Sequence, residues 1–250
     1  MTAGSKRLSI VCDGLRLAGG AFVPPEPRGI VVLLHGIPSS APPDPDDEGY
    51  PGLARQFSDR GWAAAWAEMR GVRSSQGHFS IEGWVRDARA IVDAARTLEG
   101  AQGLSLALVG SSAGGCVSVE ATKRGAPVDA LALLAAPAAW VSFAGDPASA
   151  VRRITEEAGM PLAKETLADP TAWAAEFETV VTESSIVDVK VPTLVVHGTA
   201  DDVVPVDHAT RISDRARKVE LKIIEGAEHQ LRRDERAIAA VLDWLDRVIT

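Results

Sequence analysis

The sequence predicts an α/β fold: a mostly parallel central sheet with helices on both faces and a small helical cap. Three observations predict it. Short apolar runs of strand length alternate with helical periodicity along almost the whole chain. An Asp13-Gly14 pair between two apolar runs marks an N-terminal hairpin. With 46% apolar and 24% charged residues, 250 positions suffice for one ample core, so the chain reads as one domain over 1–250.

The elements follow in order. Residues 8–12 and 15–23 flank the Asp13-Gly14 turn. Ile30–Leu34 is an unbroken aliphatic run, as a strand buried on both faces must be. Further strands are expected at 63–68, 104–109, 130–135, 193–196 and Val219–Ile224. Between them, Ile81, Trp84, Val85, Ala88, Ile91, Val92 and Ala95 recur at three- and four-residue steps, one apolar stripe on a helix capped by Ser80. Ile238, Val241, Leu242, Leu245 and Val248 repeat the pattern in a last helix. The segment 142–185 is helical but divided by Pro147, Pro161 and Pro170, and reads as a cap inserted over the end of the sheet. The alternative is an ordinary long crossover. In such sheets the ligand site lies at the carboxyl ends of the strands.

Composition excludes several function classes. The longest apolar stretch, 130–141, is too short for a bilayer and is broken by Pro137. The first ten residues carry no apolar segment of signal-peptide length, so a cytoplasmic protein without a membrane partner is expected. A net charge of −8 without a basic cluster argues against a nucleic-acid partner. Cys12 and Cys116 cannot build a disulfide framework and suit a reducing compartment; with no histidine at ligand spacing, neither do they suggest structural zinc. The acidic run 44–49 departs from a calcium loop, because Pro45 sits inside it and Arg55 takes the place of the bidentate glutamate. It reads as a solvated loop capping the next helix. No dinucleotide or Walker motif is present, so no cofactor and no metal is expected.

The chemistry concentrates in three strings. Gly110-Ser111-Ser112-Ala113-Gly114 follows a predicted strand and precedes a helix expected to begin near Cys116. A serine held at so sharp a turn presents its oxygen clear of the strand, glycines on either side avoid collisions, and the helix N-terminus offers free N–H groups. A serine hydroxyl needs a base, and the base needs an orienting group. Asp201, after the strand at 193–196, and His229, after Val219–Ile224, both fall at strand carboxyl ends like Ser112. The order Ser, Asp, His differs from that of chymotrypsin and subtilisin.

Together with Leu33-Leu34-His35-Gly36-Ile37-Pro38, His197-Gly198-Thr199-Ala200-Asp201, Val204-Pro205 and Gly226-Ala227-Glu228-His229, the elbow resembles the α/β-hydrolase superfamily over essentially the whole chain. Within it, Gly77-His78-Phe79-Ser80 and the 134–138 string are similar to small-capped esterases of the cinnamoyl-esterase and serine-aminopeptidase-like group. The familiar histidine before the nucleophile is Ser111 here, and Gln230 follows His229 where an apolar residue is frequent. The resemblance implies that Ser112 attacks an acyl carbonyl, His229 shuttles the proton and Asp201 orients His229. It also implies an oxyanion hole from the backbone N–H groups of Ile37 and Ala113.

Neighbouring residues compete for these roles. Asp202 adjoins Asp201 and is the alternative acid; Glu228 is expected to be solvated. His35 and His197 are expected to shape loops, His78 to lie on the surface, and Cys116 to pack one helical turn beyond Ser112. Trp140, Phe143, Ile154, Met160, Leu162, Trp173 and Phe177 either line an acyl or aromatic pocket or glue the cap to the sheet. The reaction expected is hydrolysis of a small uncharged ester, with water as cosubstrate. Amide, peptide or thioester hydrolysis, perhydrolysis, acyl transfer or a non-catalytic binding role are the alternatives.

Overall fold

The structure is a computed structural model that describes residues 5–39, 44–140, 143 and 145–249. Ten strands, β1 (Ser5–Arg7), β2 (Ile10–Cys12), β3 (Leu15–Leu17), β4 (Gly19–Phe22), β5 (Ile30–Leu34), β6 (Ala63–Ala67), β7 (Leu106–Ser111), β8 (Ala130–Leu134), β9 (Thr193–Gly198) and β10 (Val219–Ile224), form two sheets. The larger has the order β1-β4-β6-β5-β7-β8-β9-β10. From β6 to β10 every pairing is parallel, and β1 and β4 add an antiparallel edge. The chain thus has the α/β-hydrolase architecture that the alternation of strands and helices predicts.

Unbroken apolar runs become the central strands because helices cover both faces. Every residue of β5 and β8 is buried. One face carries α2 (Ile81–Ala95) and α3 (Ala113–Lys123); the other carries α1 (Gly49–Asp59) and the last helix, Glu235–Val248. The predicted stripe of α2 is buried throughout, and the Ser80 side chain accepts the Gly83 N–H at 2.9 Å as the cap. Burying one such aliphatic side chain contributes roughly 1.5–3 kcal/mol.

Between β8 and β9 the described chain passes through α4 (Pro147–Arg152), a π-helical turn (Arg153–Glu157), α5 (Lys164–Ala168), α6 (Thr171–Thr179) and α7 (Thr182–Ser185). Three hydrogen bonds hold α6 to α2: Glu176 accepts from the Ser80 hydroxyl at 2.7 Å and from the Glu82 N–H at 3.2 Å, and Thr179 donates to Glu82 at 2.6 Å. Phe177 is the hub of an aromatic cluster, with ring centroids 4.8 Å from Phe143, 5.2 Å from Trp173 and 5.4 Å from Trp140. All seven apolar residues singled out from this segment are buried against one another and the sheet. They pack together, and Trp173 also lines a cavity of about 430 Å³ beside His78 and Phe79, so packing does not displace the pocket reading. Helix α8 (Asp207–Ser213) joins β9 to β10, and α9 (Glu235–Val248) closes the chain.

Two local expectations are corrected. The run at 15–23 is not one strand: β3 pairs with β2 in a separate ribbon, while β4 crosses into the main sheet beside β6. Glycine permits that entry, since a Cβ at Gly20 would stand 2.7 Å from the Trp66 ring. The acidic run does cap α1, through Asp47, which accepts the Gly49 N–H at 2.8 Å, and not through Glu48. It is not simply solvated, however: Asp47 and Asp44 also reach Arg232 and Arg233, across the fold.

Candidate active site

Strand β7 ends at Ser111, and α3 begins at Ala113, three residues before the expected start near Cys116. Ser112 fills the gap alone, with φ 50° and ψ −122°. That conformation is strained for a residue with a Cβ, and its surroundings enforce it. The Ser112 N–H is held by Leu134 O at 2.8 Å. A Cβ on Gly110 would meet Gly114 O at 2.4 Å, and one on Gly114 would meet His35 O at 2.5 Å. Only glycines let β7, α3 and the loop after β5 approach so closely.

The loops after β9 and β10 deliver Asp201 and His229 to the same point. Gly198 permits this meeting, because a Cβ there would lie 2.0 Å from Ala227 O. His229 Nε2 lies 3.1 Å from Ser112 Oγ, and His229 Nδ1 lies 2.8 Å from Asp201 Oδ2. The serine hydroxyl therefore donates to Nε2 while Nδ1–H donates to the carboxylate. Asp201 also accepts the N–H groups of Val203 and Val204 at 3.0 and 2.8 Å. His197, fully buried, sits with Nε2 3.2 Å from Asp201 Oδ2 and 2.8 Å from Val204 O. Burial pushes the Asp201 pKa up, but hydrogen bonds from His197, His229 and Val204 outweigh it and hold the carboxyl well below its usual range.

The competing residues lie elsewhere. Asp202 and Glu228 are exposed, as is His78. Cys116 is buried, and burial pushes its thiol up to about 12. His35 is fixed by its neighbours: Nδ1–H donates to Gly36 O at 2.7 Å, and Nε2 accepts the Met69 N–H at 2.9 Å. Desolvation lowers its pKa to about 4, so the ring is neutral near pH 7.

Ala113 directly follows the serine, and the loop carrying Gly36 approaches it. Ala113 opens α3, and Ile37 follows Gly36, where a Cβ would stand 2.9 Å from Ser112 Cβ. Among the described residues neither the Ile37 nor the Ala113 N–H has an internal acceptor.

Two residues of the site's surround, Tyr50 and Arg232, carry no motif in the sequence. Tyr50 lies edge-on to His35, ring centroids 6.1 Å apart, with its phenol against Ser111. Arg232 stacks over the Tyr50 ring at 5.6 Å and binds Asp47 with both terminal nitrogens. The available signal was the Arg232-Arg233 pair just after His229, facing an acidic run that needed counter-charges. Among the described residues, no group of three or more His, Cys, Asp or Glu side chains is arranged to hold a metal ion.

A hydroxyl on a strained elbow, hydrogen-bonded to an imidazole that a buried carboxylate orients, at the carboxyl end of a parallel sheet, defines an α/β hydrolase. The model of the serine aminopeptidase S33 family matches residues 25–168 and 171–236, and the chain belongs to that family. No curated protein matches by sequence. Among solved structures, Est1E from Butyrivibrio proteoclasticus with ferulic acid bound is similar with a TM-score of 0.73 and 21% identity, over 96% of this chain and 98% of that one. The Pyrococcus furiosus esterase PF2001 gives 0.72 and 17%, over 99% and 92%. A meta-cleavage product hydrolase from Pseudomonas fluorescens gives 0.69 and 17%, over 98% of each chain. These likenesses establish the fold. No helix among the described residues is long and apolar enough to cross a membrane.

Proposed function

We propose that the protein is a carboxylic ester hydrolase that works through an acyl-enzyme on Ser112. The observation that carries this reading is the continuous hydrogen-bond line from Ser112 Oγ through His229 to Asp201, at 3.1 and 2.8 Å. In the first half-reaction, Ser112 Oγ attacks the ester carbonyl and its proton passes to His229 Nε2. Asp201, held ionised by His197, His229 and the Val204 N–H, stabilises the imidazolium. The N–H groups of Ile37 and Ala113 receive the oxyanion, each contributing about 3 kcal/mol of barrier reduction. His229 then protonates the departing alcohol, and water repeats the sequence on the acyl-enzyme.

The 142–185 segment serves as the cap of a single domain over 1–250. The substrate is a small molecule that approaches Ser112, itself partly exposed, alongside water. Est1E binds ferulic acid on a similar fold, so a hydroxycinnamoyl ester is the first natural-type substrate to test. Two free, buried cysteines suit a cytoplasmic setting.

The test is turnover of p-nitrophenyl esters of increasing acyl length and of methyl ferulate, by the wild type and by Ser112→Ala. Turnover abolished in the variant is expected, and the best acyl length measures the pocket. Hydrolysis of matched amides or thioesters in preference to esters would overturn the ester assignment and leave the same nucleophile serving those substrates.

A further inference from the structure

Among the described residues, strand β10 is the outermost strand of the main sheet and pairs only with β9. Its other edge presents unpaired backbone groups, which natural proteins usually cover, bend or charge. Here the edge is six residues long, without proline or glycine, and exposes Leu221 by 42% and Ile223 by 38%.

Side chains alternate between faces along the strand. Val219, Leu221 and Ile223 share one face; Glu220, Lys222 and Ile224 share the other. Ile224 packs into the core beneath α9, and Arg247 of α9 holds Glu220 at 2.9 Å. Lys222 has no carboxylate partner among the described residues. Beside this face lies a groove of about 420 Å³ between β10 and α9, where the small side chains of Ala239 and Ala240 leave the strand's flank open.

The sequence of β10 is self-complementary under one twofold operation. An axis through Leu221, perpendicular to the sheet, pairs the strand antiparallel with a second copy. It sets Leu221 on Leu221, Val219 on Ile223 and, on the other face, Glu220 on Lys222. Moving the axis to Glu220 or Lys222 would put like charges directly opposite, which destabilises a cross-strand pair. Only the Leu221-centred register therefore satisfies both faces: apolar on apolar, and the unpartnered ammonium on a carboxylate.

We propose that the protein forms a homodimer in which two β10 edges pair antiparallel about Leu221, joining the two main sheets into one. The interface is isologous, as most soluble dimers are. Its backbone hydrogen bonds supply the pairing, and the Glu220–Lys222 crosses select the register.

Sedimentation equilibrium of the full chain tests this, with Glu220→Lys, Lys222→Glu and the double exchange. The wild type should sediment at twice the chain mass. Each single reversal places like charges opposite one another on both sides of the axis and should weaken the dimer by roughly tenfold or more. The double exchange should restore it. A wild type that stays monomeric up to about 100 μM overturns the proposal. So does a dimer that ignores the single reversals, or a double exchange that fails to restore association. Should a variant misfold by circular dichroism, hydrogen exchange of the wild type decides: β10 amides that exchange more slowly at high protein concentration support the pairing, and concentration-independent exchange refutes it.

Discussion

Arg232 grips the carboxylate of Asp47, and in doing so ties the loop that follows His229 to the loop that leads into α1. Both side chains are mostly buried, and the arginine holds the Asp47 pKa down to about 2. The pair thus braces the histidine side of the site against the side that carries Gly36 and Ile37. Arg232→Met and Asp47→Asn should each lower kcat/KM about tenfold by loosening that brace. The double variant should lose little more than either single one, because the two act as a unit. Steady-state kinetics of the three variants checks this.

A buried ion pair anchors the opposite side of the sheet. Asp87 is fully buried on α2 and takes the Arg70 guanidinium at 2.7 Å, and the Arg70 N–H at 2.8 Å. Removing Asp87 leaves the buried Arg70 with only the half-exposed Asp13 as counter-charge. Asp87→Ala should cost about 3–5 kcal/mol in urea denaturation. Replacing both by apolar residues should cost less than the single change.

His35 links stability to pH. Its folded pKa, lowered by desolvation to about 4, lies below the unfolded value of 6.5. Between these values the unfolded chain binds a proton that the folded chain rejects, so stability falls as pH drops from 6.5 towards 4. The loss is about 3 kcal/mol across that window. Asp201 adds a second loss below the usual carboxylate range, since its depressed pKa makes protonation oppose folding there. Denaturation midpoints between pH 7 and 4.5 should show the first limb, and His35→Gln should flatten it.

Gly198 sets the spacing of the loops that bear Asp201 and His229. Because a Cβ there would overlap Ala227 O at 2.0 Å, Gly198→Ala must push the β10 loop away. The expected result is a loss of at least about 100-fold in kcat/KM, as for a displacement near 1 Å. The fold should persist, with unchanged far-ultraviolet circular dichroism.

Most of the architecture was legible because burial on both faces writes itself as unbroken runs, as in β5, and one-sided burial as a stripe, as in α2. The strand-turn-helix setting of Ser112 and the strand-end positions of Asp201 and His229 were legible for the same reason. What escaped was decided between distant segments. Asp87 interrupts an apolar stripe, and only tertiary contact with Arg70 explains it. Asp44 and Asp47 carry no local sign that their arginine partners lie 189 and 185 positions away. The split between β3 and β4 depends on Trp66, from another strand, lying across Gly20. Nor does a list of aromatic residues reveal that Trp140, Phe143, Trp173 and Phe177 pack on one another.

The proposed reaction rests on Ser112 acting as a nucleophile activated by His229. Reaction with a fluorophosphonate, followed by intact-mass and peptide mass spectrometry, tests it directly. One adduct per chain is expected, located on Ser112, absent in Ser112→Ala and slowed by roughly 10⁴-fold or more in His229→Ala. A wild type that remains unmodified, or an adduct that forms equally well without His229, would contradict it.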